Sequence, residues 1–167
     1  MIGAPGESSN ASGINGDETD NSKLESGAVY IYQNVWRERD IIQMVSFTQS
    51  YFSLTLNDNT LVIGASGNSS TTATDESDPS IYRSGAVYVY QINSVGVEQK
   101  AFIKAPDPQI KAFFGTSVAL SGNMLVIGEP YRSVDVENLF HPGAAYVFKN
   151  ESGDCRWLCW VWSCAYF

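Results

Sequence analysis

The peptide Ser26-Gly-Ala-Val-Tyr-Ile-Tyr32 returns as Ser84-Gly-Ala-Val-Tyr-Val-Tyr90 and, altered, as Pro142-Gly-Ala-Ala-Tyr-Val-Phe148. The glycines of the three copies are equally spaced, 58 residues apart. A period of this length is typical of repeat architectures, in which one supersecondary unit recurs along the chain. The repeat is therefore the unit from which the fold is built.

A second string recurs in the same order within each unit. It reads Ile2-Gly-Ala-Pro5, then Leu61-Val-Ile-Gly-Ala-Ser66, then Leu125-Val-Ile-Gly-Glu-Pro130. Both strings are short, rich in β-branched or aromatic residues, and bounded by turn-forming residues, which is typical of strands. The tyrosine-containing strings are apolar on both faces, which predicts strands buried between stacked sheets. No segment has a convincing helical period, so the sequence predicts an all-β protein.

The middle unit divides into four predicted strands. They span residues 51–56, 60–65, 85–91 and 97–104, and a long polar loop separates the second from the third. Four antiparallel strands per unit of roughly 60 residues, without helices, predict a β-propeller blade. The third unit repeats the pattern from Phe114, whereas the first unit enters directly at its second strand.

These motifs resemble a known family. Phe114-Gly-Thr-Ser-Val-Ala-Leu120, the Leu-Val-Ile-Gly string and the Gly-Ala-Val-Tyr string are similar to the FG-GAP repeats of the integrin α-subunit propeller, in their bacterial form. The resemblance covers residues 1 to about 150 and implies a propeller of about seven blades. The second unit departs from the pattern, because Ser50-Tyr51 stands where the third unit has Phe114-Gly115. In the third unit, Glu129 replaces the alanine of the Gly-Ala-Pro string.

The units predict the domain organisation. A partial blade at 1–48 is followed by a blade at 49–104, the first three strands of a blade at 113–150, and an atypical tail at 151–167. About two and a half blades cannot close a propeller, which needs four or more. The chain is therefore interpreted as an open fragment of a longer protein; in the alternative, copies of the chain assemble to close a ring.

The tail differs sharply in composition from the repeats. It holds all three cysteines of the chain, Cys155, Cys159 and Cys164, interspersed with tryptophans. This spacing lacks the paired Cys-x-x-Cys pattern of a structural zinc site. We interpret the tail as a reading-frame error or chance extension. The alternative is a genuine exposed aromatic strand, which would be an aggregation site.

Composition limits the classes of partner. The formal net charge is −8, from 18 acidic and 10 basic residues, and clustered Lys and Arg for phosphate binding are missing, so no nucleic acid is expected. The longest apolar stretch, 157–167, is shorter than the roughly 20 residues of a membrane-spanning helix. No secretory signal precedes the first repeat. An extracellular or cell-surface location is expected from the family resemblance alone.

The loops between second and third strands are the predicted ligand-contact surface. They span 6–25, 67–83 and 131–141, and they differ in length while the strands stay constant, as recognition loops on a rigid scaffold do. The candidate contact residues are polar or acidic: Glu7, Asn10, Asn15, Asp17, Asp20, Asp75, Asp78 and Asp135.

Calcium is the one cofactor that these loops suggest. Asn15, Asp17, Asp20 and Asn21 form the densest group of the oxygen ligands that calcium prefers. No Asp-x-Asp-x-Asp-Gly string, the form used by integrin-type loops, occurs in the chain. The competing interpretation is a solvated acidic rim that maintains solubility.

The sequence gives no support to an enzyme. The single histidine, His141, lies at a loop end with only Asp135 and Glu137 nearby, and no Gly-x-Ser-x-Gly nucleophile string occurs. We expect a non-enzymatic extracellular binding or adhesion scaffold that contacts a protein or carbohydrate. The alternatives are an accessory propeller module of a larger secreted enzyme and a degenerate structural repeat without a ligand.

Overall fold

A computed structural model of the chain confirms the all-β prediction, since all the helix-or-strand structure among the residues it describes consists of β-strands. The described residues are 2–4, 6–9, 13–17, 19–22, 27–32, 39–43, 52–70, 80–133, 142–150 and 157–162, with backbone placement only for 13, 39–43 and 157–162. Within them, no helix is long and apolar enough to cross a membrane. The strands form three antiparallel sheets of four.

The first sheet, blade 1, contains β1 (Ile2–Ala4), β2 (Gly13–Ile14), β3 (Ala28–Tyr32) and β4 (Arg39–Gln43). Their order across the sheet is β1-β3-β4-β2. The strand β1 occupies the position that the second strand has in the other sheets. The short strand β2 comes from within the first long loop, which folds back and pairs with β4 at the edge of the sheet. No pattern in the sequence predicted this pairing.

The second sheet, blade 2, contains β5 (Phe52–Asn57), β6 (Thr60–Ala65), β7 (Ala86–Asn93) and β8 (Gly96–Ile103), in that order. All four predicted strands of the middle unit are present, with ends that move by two residues at most. Asp58 forms the β5–β6 turn in the left-handed region, with φ 50°, which Asp tolerates better than most residues. Local turn chemistry therefore sets these boundaries.

The third sheet, blade 3, contains β9 (Ser117–Ser121), β10 (Met124–Glu129), β11 (Ala144–Asn150) and β12 (Trp157–Trp162). The strand β12 lies within residues 151–167, the predicted atypical tail. It pairs with β11 from Ala145↔Trp162 to Asn150↔Trp157 and takes the fourth position of the sheet. The sheet therefore extends beyond the boundary drawn at residue 150, because aromatic and β-branched residues can pair without polar alternation.

Each blade has two different faces. The aromatic face of blade 2, with Tyr88 and Tyr90, packs against Val29 and Ile31 of blade 1 in one buried cluster. The opposite face of blade 2 carries valines and packs against the aromatic face of blade 3, with Tyr146 and Phe148, in a second cluster. Tyr88, Tyr90 and Tyr146 thus pack blade against blade, as side chains that alternate across a strand allow.

The Phe114-Gly115 dipeptide joins blade 3 to blade 2. Phe114 is fully buried, and its ring meets those of Tyr146 and Phe148 edge-on, at centroid distances of 5.3 and 6.4 Å. Its backbone amide donates to the carbonyl of Ser84, 2.9 Å away. Phe114 also forms an isolated parallel β-bridge with Gly85. One dipeptide therefore supplies both apolar contact and backbone pairing to the joint.

Two glycines of blade 2 allow this close approach. A Cβ atom on Gly64 would lie 2.1 Å from the carbonyl oxygen of Gly115, and one on Gly85 would lie 2.0 Å from that of Phe114. Both contacts are with backbone, which cannot move aside as a flexible side chain can. The glycines of the two recurring strings are therefore required by the spacing between blades.

We expect Gly64→Ala to destabilise the protein by about 1–3 kcal/mol, as overpacking of a tight contact does. The matched control is Gly6→Ala, where an added Cβ would meet nothing within 4 Å. Surface changes of that kind stay within about 0.5 kcal/mol. Urea denaturation of both variants measures the difference, and equal midpoints would contradict the proposed role of the glycine.

Candidate functional site at the rim of the blades

The three long loops leave the blades at equivalent points. Each loop starts after the strand in the second position of its unit (β1, β6 or β10) and returns at the strand that pairs with it (β3, β7 or β11). The last residue pairs before the loops are Ala4↔Ala28, Ala65↔Ala86 and Glu129↔Ala144. At both joints the valine-type face of one blade packs on the aromatic face of the next, so equivalent strand ends lie on the same side of the stack. The predicted contact loops therefore share one rim.

The neck of the first loop is closed by hydrogen bonds. The amide of Gly27 donates to the carbonyl of Glu7 at 2.9 Å, and the amide of Ser9 donates to the Glu7 carboxylate at 3.0 Å. Ser9 is buried, and its hydroxyl donates to the carbonyl of Asp17 at 2.8 Å. Glu7, a predicted ligand residue, thus helps to shape its own loop.

Two acidic side chains of the first loop, Asp17 and Asp20, are exposed and organise local turns. Asp17 Oδ1 accepts hydrogen bonds from the amide and hydroxyl of Thr19, at 2.8 and 2.7 Å, and these bonds lower the pKa of the carboxyl group. Asp20 Oδ1 accepts from the amide of Ser22 at 3.0 Å. Such bonds between a carboxylate and an amide two residues onward are typical Asx turns.

The predicted calcium ligands lie close in sequence on this loop. Asn15 has a left-handed backbone, with φ 55°, and the Asn21 amide group donates to the carbonyl of Thr19 at 3.4 Å. Within the described ranges, no group of three or more His, Cys, Asp or Glu side chains is arranged to hold a metal ion. The hydrogen bonds of the Asp17 and Asp20 carboxylates are explained by the turns of the loop. Calcium binding stays a prediction.

Four of the predicted contact residues lie outside the described residues: Asn10, Asp75, Asp78 and Asp135. The same holds for His141.

The beginning of the second loop, predicted to lie on the ligand-contact surface, is buried. Asn68, Ser69 and Ser70 are at most 1% exposed. The Asn68 Oδ1 atom accepts from the amide and hydroxyl of Ser70, at 3.0 and 2.6 Å, while its amide group donates to the Tyr88 hydroxyl at 3.3 Å. Residues 68–70, here called the polar plug, are therefore held inside the protein by hydrogen bonds, which buried polar groups require.

Lys104, at the end of β8, anchors this plug. Its ammonium donates to the Ser84 hydroxyl at 2.7 Å, to the Gly85 carbonyl at 2.5 Å, and to Asn68 Oδ1 at 3.4 Å. Burial lowers the pKa of Lys104 to about 7, an effect that the negative charge of Glu129 opposes. The sequence predicts Lys104 only as the end of a strand, because an isolated lysine carries no signal of burial.

Glu129 joins Lys104 as a buried charged residue in the described part of the chain, and its side chain is fully buried. The Tyr146 hydroxyl donates to its Oε2 atom, and Arg132 Nη1 lies 3.7 Å from the same atom. Its Oε1 atom has no hydrogen-bond partner within the described part of the chain. Burial raises the pKa of Glu129, against the effect of Tyr146 and Arg132. The sequence did mark this position, as the one glutamate in place of an alanine.

Arg132 ties the third loop to the segment between blades 2 and 3. Its guanidinium donates to the Asp107 carbonyl at 3.0 Å and pairs with the Asp107 carboxylate at 3.2 Å. Beside it, Gln109 and Ser133 exchange hydrogen bonds of 3.1 and 2.9 Å. The segment between blades 2 and 3 thus holds the start of the third loop in place. The role of these four residues is structural support.

The protonation of Lys104 predicts a pH dependence of stability. Its folded pKa, about 7, lies below the ordinary lysine pKa of 10.5, so the folded state binds fewer protons between these pH values. Stability should therefore rise with pH across this window, with a slope of at most about 1.4 kcal/mol per pH unit. Urea denaturation of wild type and Lys104→Met at pH 7, 8 and 9 measures the slope. The exposed Lys100→Met is the matched control and should retain it; equal slopes in all three would contradict the prediction.

Tyr146→Phe should destabilise the protein by about 1–3 kcal/mol, because it leaves the buried Glu129 carboxylate without its hydroxyl donor. In a Glu129→Ala background, which restores the residue found at Ala65, the same change should cost much less. A double-mutant cycle by urea denaturation measures this coupling. Additive effects within about 0.5 kcal/mol would mean that the two side chains do not interact.

The comparisons with known proteins agree with the geometry of the second and third blades. A family model of the FG-GAP repeat matches residues 97–148, from β8 through Phe114-Gly115 to β11. No curated protein gives a significant match to the chain. Residues 97–148 are therefore similar to the FG-GAP repeat, and the three four-stranded sheets are consistent with blades of a β-propeller.

Proposed function

We propose that the chain is a non-enzymatic binding scaffold outside the cell or at its surface, whose rim loops contact a protein or carbohydrate. The observation that carries this proposal is that all three loops leave the stacked blades at one equivalent register position. Loops that differ in length on a constant framework are the usual location of recognition residues.

The first loop is the best candidate for contact. Its neck is fixed through Glu7 and Ser9, whereas Asp17 and Asp20 are exposed with one carboxylate oxygen each in a turn. Held carboxylates accept hydrogen bonds from sugar hydroxyls and pair with basic side chains of proteins, at a low entropic cost of ordering. A calcium ion on Asn15, Asp17, Asp20 and Asn21 would add a bridging charge to the same surface.

A structural repeat without a ligand is the second candidate. It is favoured by the burial of Asn68, Ser69 and Ser70, which places the start of one rim loop inside the protein. On this alternative, the loops complete the blades and the rim has no partner. The two candidates differ in whether substitutions of exposed rim residues alter binding.

The test compares two variants that each remove two negative charges. Asp17→Asn/Asp20→Asn changes the rim, whereas Asp58→Asn/Glu98→Gln changes the β5–β6 turn and the strand beside the β7–β8 turn, at the opposite end of the blade. We expect at least a tenfold loss of binding for the rim variant alone, on a glycan array or an array of secreted and cell-surface proteins. Repeating the assay with calcium or with a chelator separates metal-dependent binding.

An equal loss in both variants would indicate a non-specific charge effect and would contradict a rim site. Absence of any ligand on either array would favour the structural repeat. Differential scanning fluorimetry of both variants checks that the blades remain folded, since exposed ion pairs such as Glu98 and Lys100 contribute little to stability.

A further inference from the structure

Two buried side chains of complementary reactivity meet where the second long loop leaves blade 2. Lys104 is 8% exposed and Asn68 is 1% exposed. The Lys104 Nζ atom lies 3.4 Å from the Asn68 Oδ1 atom. Because a carbonyl bond is about 1.2 Å long, Nζ lies within about 4.6 Å of the carboxamide carbon, Cγ. An amine and a carboxamide are thus held together, away from bulk water.

The environment of Lys104 favours the protonation state that a nucleophile needs. Burial lowers the pKa of Lys104 to about 7, so a large fraction of its amine is neutral at neutral pH. The neutral amine of a lysine is a nucleophile, and desolvation is one of the ways in which proteins activate it. A lysine in water, with a pKa of about 10, is almost entirely protonated under the same conditions. Burial therefore prepares Lys104 to attack an electrophilic carbon atom.

The carboxamide of Asn68 is polarised for such an attack. Its Oδ1 atom accepts hydrogen bonds from the backbone amide of Ser70 at 3.0 Å and from the Ser70 hydroxyl at 2.6 Å. Fixed donors on a carbonyl oxygen stabilise the negative charge that develops there when a nucleophile adds to the carbon. Ser70 is therefore placed to act on Asn68 as an oxyanion hole does.

The start of β7 holds both groups in place. The backbone carbonyl of Asn68 accepts from the Gly85 amide at 2.8 Å, and its amide donates to the Ala65 carbonyl at 3.1 Å. The Nζ atom of Lys104 donates to the Gly85 carbonyl at 2.5 Å and to the Ser84 hydroxyl at 2.7 Å. Gly85 thus binds both reacting residues. Groups fixed in this way lose little further entropy when they react.

We propose that Lys104 and Asn68 form an intramolecular isopeptide bond. The Nζ atom of the neutral amine attacks Cγ of Asn68, and a new carbon–nitrogen bond forms. The bond between Cγ and Nδ2 breaks, one proton passes from Nζ to Nδ2, and ammonia leaves. The product is a secondary amide, and the reaction uses no oxidant, reductant or second reactant.

The cross-link joins the end of β8 to the start of the second rim loop, between residues 36 positions apart in the chain. Such a bond stabilises a protein largely by constraining the unfolded chain, as a disulfide does. Unlike a disulfide, an amide is not cleaved by reductants. The cross-link also removes a titratable amine, so the pH dependence of stability expected from Lys104 belongs to the unlinked form alone.

The test is the intact mass of the folded wild-type chain, as purified and during incubation at pH 6, 7, 8 and 9. We expect a product that is lighter than the chain by one molecule of ammonia. Proteolysis and tandem mass spectrometry should show a branched peptide that contains residues 68 and 104. In unlinked protein the rate should rise about tenfold from pH 6 to pH 9 and level off, because it follows the neutral fraction of Lys104.

Lys104→Arg is the variant that separates this reaction from other losses of ammonia. It keeps the positive charge and the hydrogen-bond donors, but arginine stays protonated and does not attack. It should retain its full mass, as should Asn68→Ala. Lys100→Arg is the matched control, because Lys100 is an exposed lysine of the same strand, and it should lose ammonia as wild type does.

A wild-type chain that keeps its full mass after prolonged incubation at pH 9 would overturn the proposal, whether or not the variants fold. Loss of ammonia that persists in Lys104→Arg would also overturn it, because an asparagine would then have cyclised onto its own backbone. A branched peptide that joins Asn68 to a lysine other than Lys104 would do the same.

Discussion

The close approach of backbone to backbone at the joint between blades 2 and 3 is the constraint on which the rest of the structure depends. Gly64 and Gly85 of one blade meet Phe114 and Gly115 of the next at distances that leave no room for a Cβ atom. This contact sets the spacing of the sheets, and the spacing determines which side chains can fill the gap. Valines on one face and aromatic rings on the other fill this gap and are buried there.

Among the described residues, the buried polar side chains lie at or beyond the ends of the strands. Two buried polar clusters lie where a long loop meets its blade. One is the polar plug with Ser84 and Lys104, and the other is Glu129 with Tyr146 and Arg132. A buried charge is costly unless it is hydrogen-bonded, and Lys104 meets this condition more fully than Glu129, whose Oε1 atom has no partner within the described residues. The polar clusters therefore specify how the loops leave the blades, while the apolar faces supply most of the stabilising contact.

The sequence predicted the strands well and the loop interior poorly, for physical reasons. Turn residues such as Asp58 and the repeated Gly-Ala-Val-Tyr strings act locally, so their strands could be located to within two residues. The burial of Asn68 and Lys104 depends on a neighbour far along the chain, and neither residue type signals it. The strand β2 was not predicted, because a strand of two residues is too short to show a periodic pattern and its partner β4 lies far along the chain. The departure at Glu129 was visible, although its consequence was not.

The two faces of a blade differ, and this makes the association of blades directional. Tyr88 and Tyr90 meet the valine-type face of blade 1, while Val62 and Val89 meet the aromatic face of blade 3. An interface between unlike faces is heterologous, so each added unit presents again the surface that it has just covered. Such an array ends only when rotation brings the last valine face onto an aromatic face, as in a ring. The exposed Val126 and the 36% exposed Tyr32 belong to the two unlike faces that this rule would join. The same asymmetry places every long loop on one rim, so the packing rule that governs assembly also determines where a recognition surface can form.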